Sequence, residues 1–84
     1  MFKDRTWCVR TTSILRSLGE EVRERRKRRN LTQEALAFEA GVHPNVVGRL
    51  ERGMYNPTVM ILFAITVKLN TSLHELFAGA AKRQ

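Results

Sequence analysis

From Ser13 the chain places Ile14, Leu15, Leu18 and Val22 on one side at helical spacing, the mark of a helix with one face against a core. The same segment passes from Glu20, Glu21 and Glu24 into Arg25, Arg26, Lys27, Arg28 and Arg29. Acids lead and bases trail, as the helix dipole favours. Asn30 follows, and asparagine tolerates the left-handed conformation that ends helices. The pattern predicts a first helix from Ser13 that stops at Asn30. Before it, Met1 to Thr12 has no period and sets Phe2, Trp7 and Cys8 among charges, which reads as a mobile or loosely docked arm.

Four shorter helices follow. Thr32 is an N-cap for Gln33 to Ala40, and Gly41 supplies a left-handed exit. Pro44 suits the first position of a third helix, about Pro44 to Arg52, because its missing amide proton costs nothing there. Gly53 ends that helix, and Met54 to Pro57 forms a loop. A fourth helix runs roughly Thr58 to Leu69, stopped by Asn70. Ser72 and Glu75 form a capping box that opens a last short helix through Leu76 and Phe77. The expectation is an all-α domain of five helices over residues 13–77, with 1–12 as the arm and 78–84 as a tail.

Composition narrows the function. At 84 residues, one domain fits and two do not. Fifteen Lys and Arg against eight Asp and Glu give a formal charge of +7, while 43% hydrophobic residues exclude a disordered basic tail. The single cysteine cannot make an internal disulfide, and His43 and His74 stand apart from any zinc-type spacing. The longest nearly uncharged run, Met54 to Val67, is shorter than the roughly 20 residues of a membrane span. The basic start shares some composition with organellar transit peptides, but it lacks the apolar core of a secretory signal. Nothing supplies a nucleophile with its base, paired carboxylates or a metal cluster, so neither enzyme activity nor a cofactor is expected. A binding module for a polyanion is the default.

The sharpest local pattern lies within Gln33 to Leu50. Ala37 is small where two helices would cross, Gly41 sits at the turn, Val42 plugs the core, and Val47 and Leu50 anchor the next helix. These are the requirements of a helix-turn-helix: a tight crossing, a turn with positive φ, and a second helix whose outer face stays free. Leu31-Thr32-Gln33-Glu34, Glu51-Arg52-Gly53, Asn56-Pro57 and Ser72 to Phe77 extend the pattern. Over about Leu18 to Phe77 the chain resembles the Xre-type, phage-repressor-like helix-turn-helix family, and within it the controller proteins of restriction-modification systems.

That resemblance implies a dimer that binds double-stranded operator DNA and regulates transcription, with RNA polymerase as a further partner. It implies no membrane and a cytoplasmic, nucleoid-associated place in a bacterial or phage setting. It also implies that helix three enters the major groove, with His43, Pro44, Asn45, Val46 and Arg49 as the base-facing positions. Asn pairs bidentately with adenine and Arg with guanine, each worth about 1–3 kcal/mol of discrimination. Pro44 has no donor, so it can only make apolar contact, for instance with a thymine methyl. Thr32 and Gln33 open helix two, where free amides and the dipole attract a phosphate. Arg52, Tyr55 and Asn56 surround the loop after helix three, the other place where the family holds the DNA backbone; Tyr55 could equally line the core. Glu51 is expected to pair with an arginine of helix one, namely Arg25. The basic run Arg23 to Arg29 reads as long-range steering with two direct phosphate contacts. His43 reads more readily as a cap or surface residue than as a pH sensor, and Cys8 as an inert thiol.

Helix four carries two stripes. Val59, Leu62, Ile65 and Leu69 make one; Met60, Phe63, Ala64 and Val67 make another on nearly the opposite side. A domain this small buries one stripe, so the second is expected to be a homodimer interface that sets two recognition helices about 34 Å apart on a two-fold operator. With only seven residues after Phe77, no ligand-binding domain is expected, and control through the protein's own concentration points to autoregulation. The alternative is an antitoxin-like protein whose helix-four stripe or N-terminal arm binds a protein partner. A basic peripheral membrane or RNA-binding module would instead use the basic helix and leave helix three idle.

Overall fold

The computed structural model describes the backbone from Thr6 to Gln84 and the side chains from Ser13 onward. Five helices occur among the described residues, with no strand: α1 Thr6–Arg28, α2 Gln33–Ala40, α3 Pro44–Glu51, α4 Val59–Lys68 and α5 Leu73–Lys82. Side-chain caps fix their starts. The Thr32 hydroxyl accepts from the Ala35 amide at 3.0 Å, that of Thr58 from Ile61 at 3.2 Å, and that of Ser72 from Glu75 at 3.0 Å. His43 Nδ1 accepts from the Asn45 amide at 3.1 Å, so this histidine is a helix cap. The ends are equally defined. Asn30 (φ 57°), Gly41 (φ 73°), Gly53 (φ 74°) and Asn70 (φ 56°) all take the left-handed turn their types allow.

The core is Leu18, Val22, Leu36, Ala37, Val47, Leu50, Leu62, Ile65, Leu69, Leu76 and Ala80. Leu18 and Val22 bring α1 onto α3 across Gly19, where any Cβ would collide with the carbonyls of Leu50 and Glu51. Ala37, fully buried, lets α2 meet α3 closely. Each short helix contributes only two or three apolar anchors, so its stability comes from this shared packing and not from its own length.

Two boundaries and one buried position differ from the sequence reading. α1 begins at Thr6 and not at Ser13, so the arm expected over 1–12 is continuous with the helix from Thr6 on. The arm's mobility and the side chains of Phe2, Trp7 and Cys8 lie outside the described residues. The segment expected as a tail, 78–84, is mostly helix: α5 continues to Lys82. Its Gly79 faces the Glu21 carboxylate, which would have to shift to admit a Cβ there. Arg83 then reaches Glu21, its Nε donating to Oε1 at 3.0 Å, and also Glu24, and Gln84 bonds Ser13 and Ser17.

The third difference is Val59, expected in the core stripe of α4 and found 71% exposed. It is the first residue after the cap, where the chain is still leaving the loop at Pro57. The buried side of α4 is Leu62, Ile65, Thr66 and Leu69, with the Thr66 hydroxyl returned to the Phe63 carbonyl at 2.8 Å. Among the described residues no single helix is long and apolar enough to cross a membrane.

Candidate nucleic-acid interface

α3 is a short helix with two unlike sides. Val47, Gly48, Leu50 and Glu51 are buried, whereas His43, Pro44, Asn45 and Arg49 are exposed and Val46 is half-buried. The proline at its first turn and the His43 cap hold its start. The Val42 amide donates to the Ala37 carbonyl at 2.9 Å, which closes the turn from α2.

A buried polar network joins α1, α2 and α3. Arg26 of α1 donates twice to Glu51 of α3, Nε to Oε2 at 2.6 Å and Nη2 to Oε1 at 3.1 Å. Its Nη1 donates to the Leu31 carbonyl at 2.7 Å, and Gln33 Nε2 donates to Glu51 Oε1 at 2.9 Å. Three elements thus converge on one carboxylate, and among the described residues no buried side-chain polar atom lacks a partner. A bidentate arginine repays its desolvation only with such geometry and satisfied remaining donors. Gly48 lies beside the Gln33 amide and the Arg52 guanidinium, each within ordinary contact of where a Cβ would stand.

The partner of Glu51 is therefore Arg26 and not Arg25. Arg25 donates to Glu21 at 2.7 Å and to the Thr71 hydroxyl at 3.0 Å. The register was available in the sequence: Leu18, Val22 and Arg26 are four apart, so Arg26 continues the buried stripe while Arg25 continues that of Glu21. The basic run is also less free than its composition suggests. Arg28 bonds Glu24 at 2.6 Å, and Arg29 bonds the Lys68 carbonyl. The hydrogen bond and charge of Arg28, with Arg83 adding, hold the Glu24 carboxyl below the usual carboxylate range.

The other positions assigned to DNA contact lie at the start of α2 and in and before the α3–α4 loop. Thr32 is exposed, its hydroxyl engaged as the α2 cap; Gln33 is half-buried, with one amide proton on Glu51. Arg52 and Asn56 are exposed, and Tyr55 is half-buried against the core. Arg49 leans toward the α3–α4 loop, its guanidinium 5.8 Å from the centre of the Tyr55 ring, within reach of a cation–π contact. This pose ties the α3 face to the loop face and depends on the loop fold, which residue spacing does not show. On α4, Met60, Phe63 and Val67 are 74%, 52% and 49% exposed, with Ala64 half-buried.

A helix-turn-helix family model (HTH_3) matches residues 22–76. Control protein C.SmaI of Serratia marcescens is 41% identical over 59 residues, 70% of this chain and 70% of that protein. Among solved structures, the restriction-modification controller protein C.AhdI from Aeromonas hydrophila superposes with a TM-score of 0.72 at 34% identity, covering 74% of this chain and 94% of its own. The clp gene regulator ClgR from Corynebacterium glutamicum superposes with a TM-score of 0.80 at 26% identity, covering 83% and 74%. The match spans the whole α2–turn–α3 unit, its buried supports and its exposed face, and the chain belongs to the Xre-like helix-turn-helix family of DNA-binding transcriptional regulators.

Proposed function

We propose that this protein is a homodimeric, sequence-specific regulator of the controller type that reads a two-fold operator and controls its own expression. The observation that carries the reading is the exposed face of α3, rigidly backed by the Arg26–Glu51–Gln33 network and flanked by the α2 N-terminus and the α3–α4 loop. In the major groove, Asn45 and Arg49 would pair with base edges, with His43, Pro44 and Val46 alongside them. Thr32, Gln33, Arg52, Tyr55 and Asn56 would hold phosphates and set the register. The likeness to C.AhdI and C.SmaI supports a controller role. The exposed apolar stripe Met60, Phe63, Ala64 and Val67 supports pairing with a second copy. Such a regulator acts on transcription by recruiting or excluding RNA polymerase, in the cytoplasm on the nucleoid.

Titration of the full chain on duplexes selected from a randomised pool, and on random DNA, tests this reading. Affinity should fall with salt by a log–log slope of about −0.9 per phosphate neutralised, and the selected duplex should win at every salt concentration. Equal affinity for all sequences would leave only a basic polyanion binder.

A further inference from the structure

One cation beside the proposed DNA-facing surface has no role in the reading above. Arg16 is exposed on α1, and the described ion pairs of that helix use Arg25, Arg26 and Arg28 instead. Its backbone is seated against the α3–α4 loop: a Cβ on Gly53 would lie 2.9 Å from the Arg16 Cα, 3.1 Å from its N and 3.3 Å from its Cβ. Only a glycine permits that approach, and Gly53 also needs its left-handed φ of 74°. The loop itself is fixed, with the Gly53 amide on the Leu50 carbonyl at 3.0 Å and the Met54 amide on the Arg49 carbonyl at 2.9 Å.

Arg16 lies one helical turn before Gly19, the residue that meets the last carbonyls of α3. It therefore belongs to the side of α1 that faces the C-terminal end of α3. The Arg16 backbone thus lies against the loop that follows Arg52, onto which Arg49 leans and which also carries Tyr55 and Asn56. A guanidinium suits a phosphate because it donates two parallel hydrogen bonds and keeps its charge at any working pH.

We propose that Arg16 is a further DNA-phosphate contact, by which α1 closes the backbone-binding edge around Arg52, Tyr55 and Asn56; the inference rests on the DNA-facing reading of α3. The competing role is structural, a cation favourably placed at the negative end of the α3 dipole. That role would change stability and leave the salt dependence of binding alone.

The test compares full-length wild type, Arg16→Gln and Lys82→Gln, the last removing one exposed charge from α5. Dissociation constants are measured over a salt series on a selected duplex and on a random duplex of equal length. Arg16→Gln should reduce the magnitude of the log–log slope by about 0.9 per bound chain, hence about 1.8 for two chains. It should weaken both duplexes by the same factor and keep the wild-type urea midpoint. Lys82→Gln should keep the wild-type slope. An unchanged slope for Arg16→Gln overturns the inference, and so does an equal loss for Lys82→Gln, which would mean that only net charge matters. Wild type that binds no duplex in a salt-dependent way overturns the underlying reading as well, a result distinct from wild type that binds normally while Arg16→Gln keeps its slope.

Discussion

α3 and α4 each turn one side to the same core, yet they are held by opposite means and show opposite faces. The back of α3 is anchored by apolar Val47 and Leu50 and by the buried Glu51, locked to Arg26 and Gln33; its front is His43, Pro44, Asn45 and Arg49. The back of α4 is packed by Leu62, Ile65 and Leu69, with Thr66 bonded within its own helix, and its front is Met60, Phe63 and Val67. Apolar packing fixes how close two helices lie but tolerates small rotations, whereas a bidentate ion pair also fixes direction. The proposed base-reading role of α3 would need direction. The proposed pairing of α4 with a second copy would need mainly area and the absence of charge.

The most damaging way to break this contrast is to remove the directional lock. Arg26→Met leaves Glu51 buried with Gln33 as its remaining side-chain partner, and losing one member of a buried pair costs about 3–5 kcal/mol. Urea unfolding should report that loss. A change below about 1 kcal/mol would mean the pair does not set the position of α3. On the other face, Met60→Glu would bring two carboxylates together in an apolar seam, at a cost of several kcal/mol of association. Sedimentation should show dimer becoming monomer while circular dichroism stays helical, because Leu62, Ile65 and Leu69 are untouched. Wild type that is monomeric at micromolar concentration would favour the antitoxin-like alternative, and unfolding of Met60→Glu would assign the stripe to the core.

Smaller effects sharpen the comparison. Thr58→Ala removes the hydroxyl that accepts from the Ile61 amide, and thermal or urea unfolding should show a loss of about 1 kcal/mol. The smallest effect is at Glu24, paired within α1 to Arg28 and also to Arg83. The Glu24 carboxyl titrates below its usual range in the folded chain because of Arg28 and then Arg83. Its contribution is therefore complete above the unfolded carboxylate pKa and is lost as pH falls through the lowered folded value. Stability of wild type should drop over that acid window by slightly more than that of Glu24→Gln. Identical acid limbs would show that the exposed pair adds nothing.

Elements that begin or end on a special residue were legible in the chain. Thr32, Thr58 and Ser72 cap as their side chains allow, and Asn30, Gly41, Gly53 and Asn70 turn where positive φ is needed. The surplus stripe on α4 was visible in its period alone. The start of α1 was not, because Thr6 to Thr12 has no apolar repeat and a helix already nucleated can extend without one. Nor was the length of α5, whose last turn is tied by Arg83 to Glu21 and Glu24 across the fold. Arg25 and Arg26 are adjacent, and only their phase against Leu18 and Val22 separates the half-buried arginine that pairs with Glu21 from the buried one that pairs with Glu51. The site positions could be named from the family pattern, but the lean of Arg49 over Tyr55 and the seating of Arg16 on Gly53 are tertiary facts.

The central claim is that α3 reads bases while the α2 N-terminus holds the backbone. It is tested most directly by base-preference profiles of Arg49→Ala and Gln33→Ala beside wild type on the same randomised duplex pool. Arg49→Ala should lose preference at one base pair in each half-site, by about 1–3 kcal/mol, and keep it elsewhere. Gln33→Ala, which leaves the bidentate Arg26–Glu51 pair holding α3, should bind every sequence more weakly by a similar factor and retain the full profile. A uniform loss for Arg49→Ala, with the wild-type profile intact, would contradict the account.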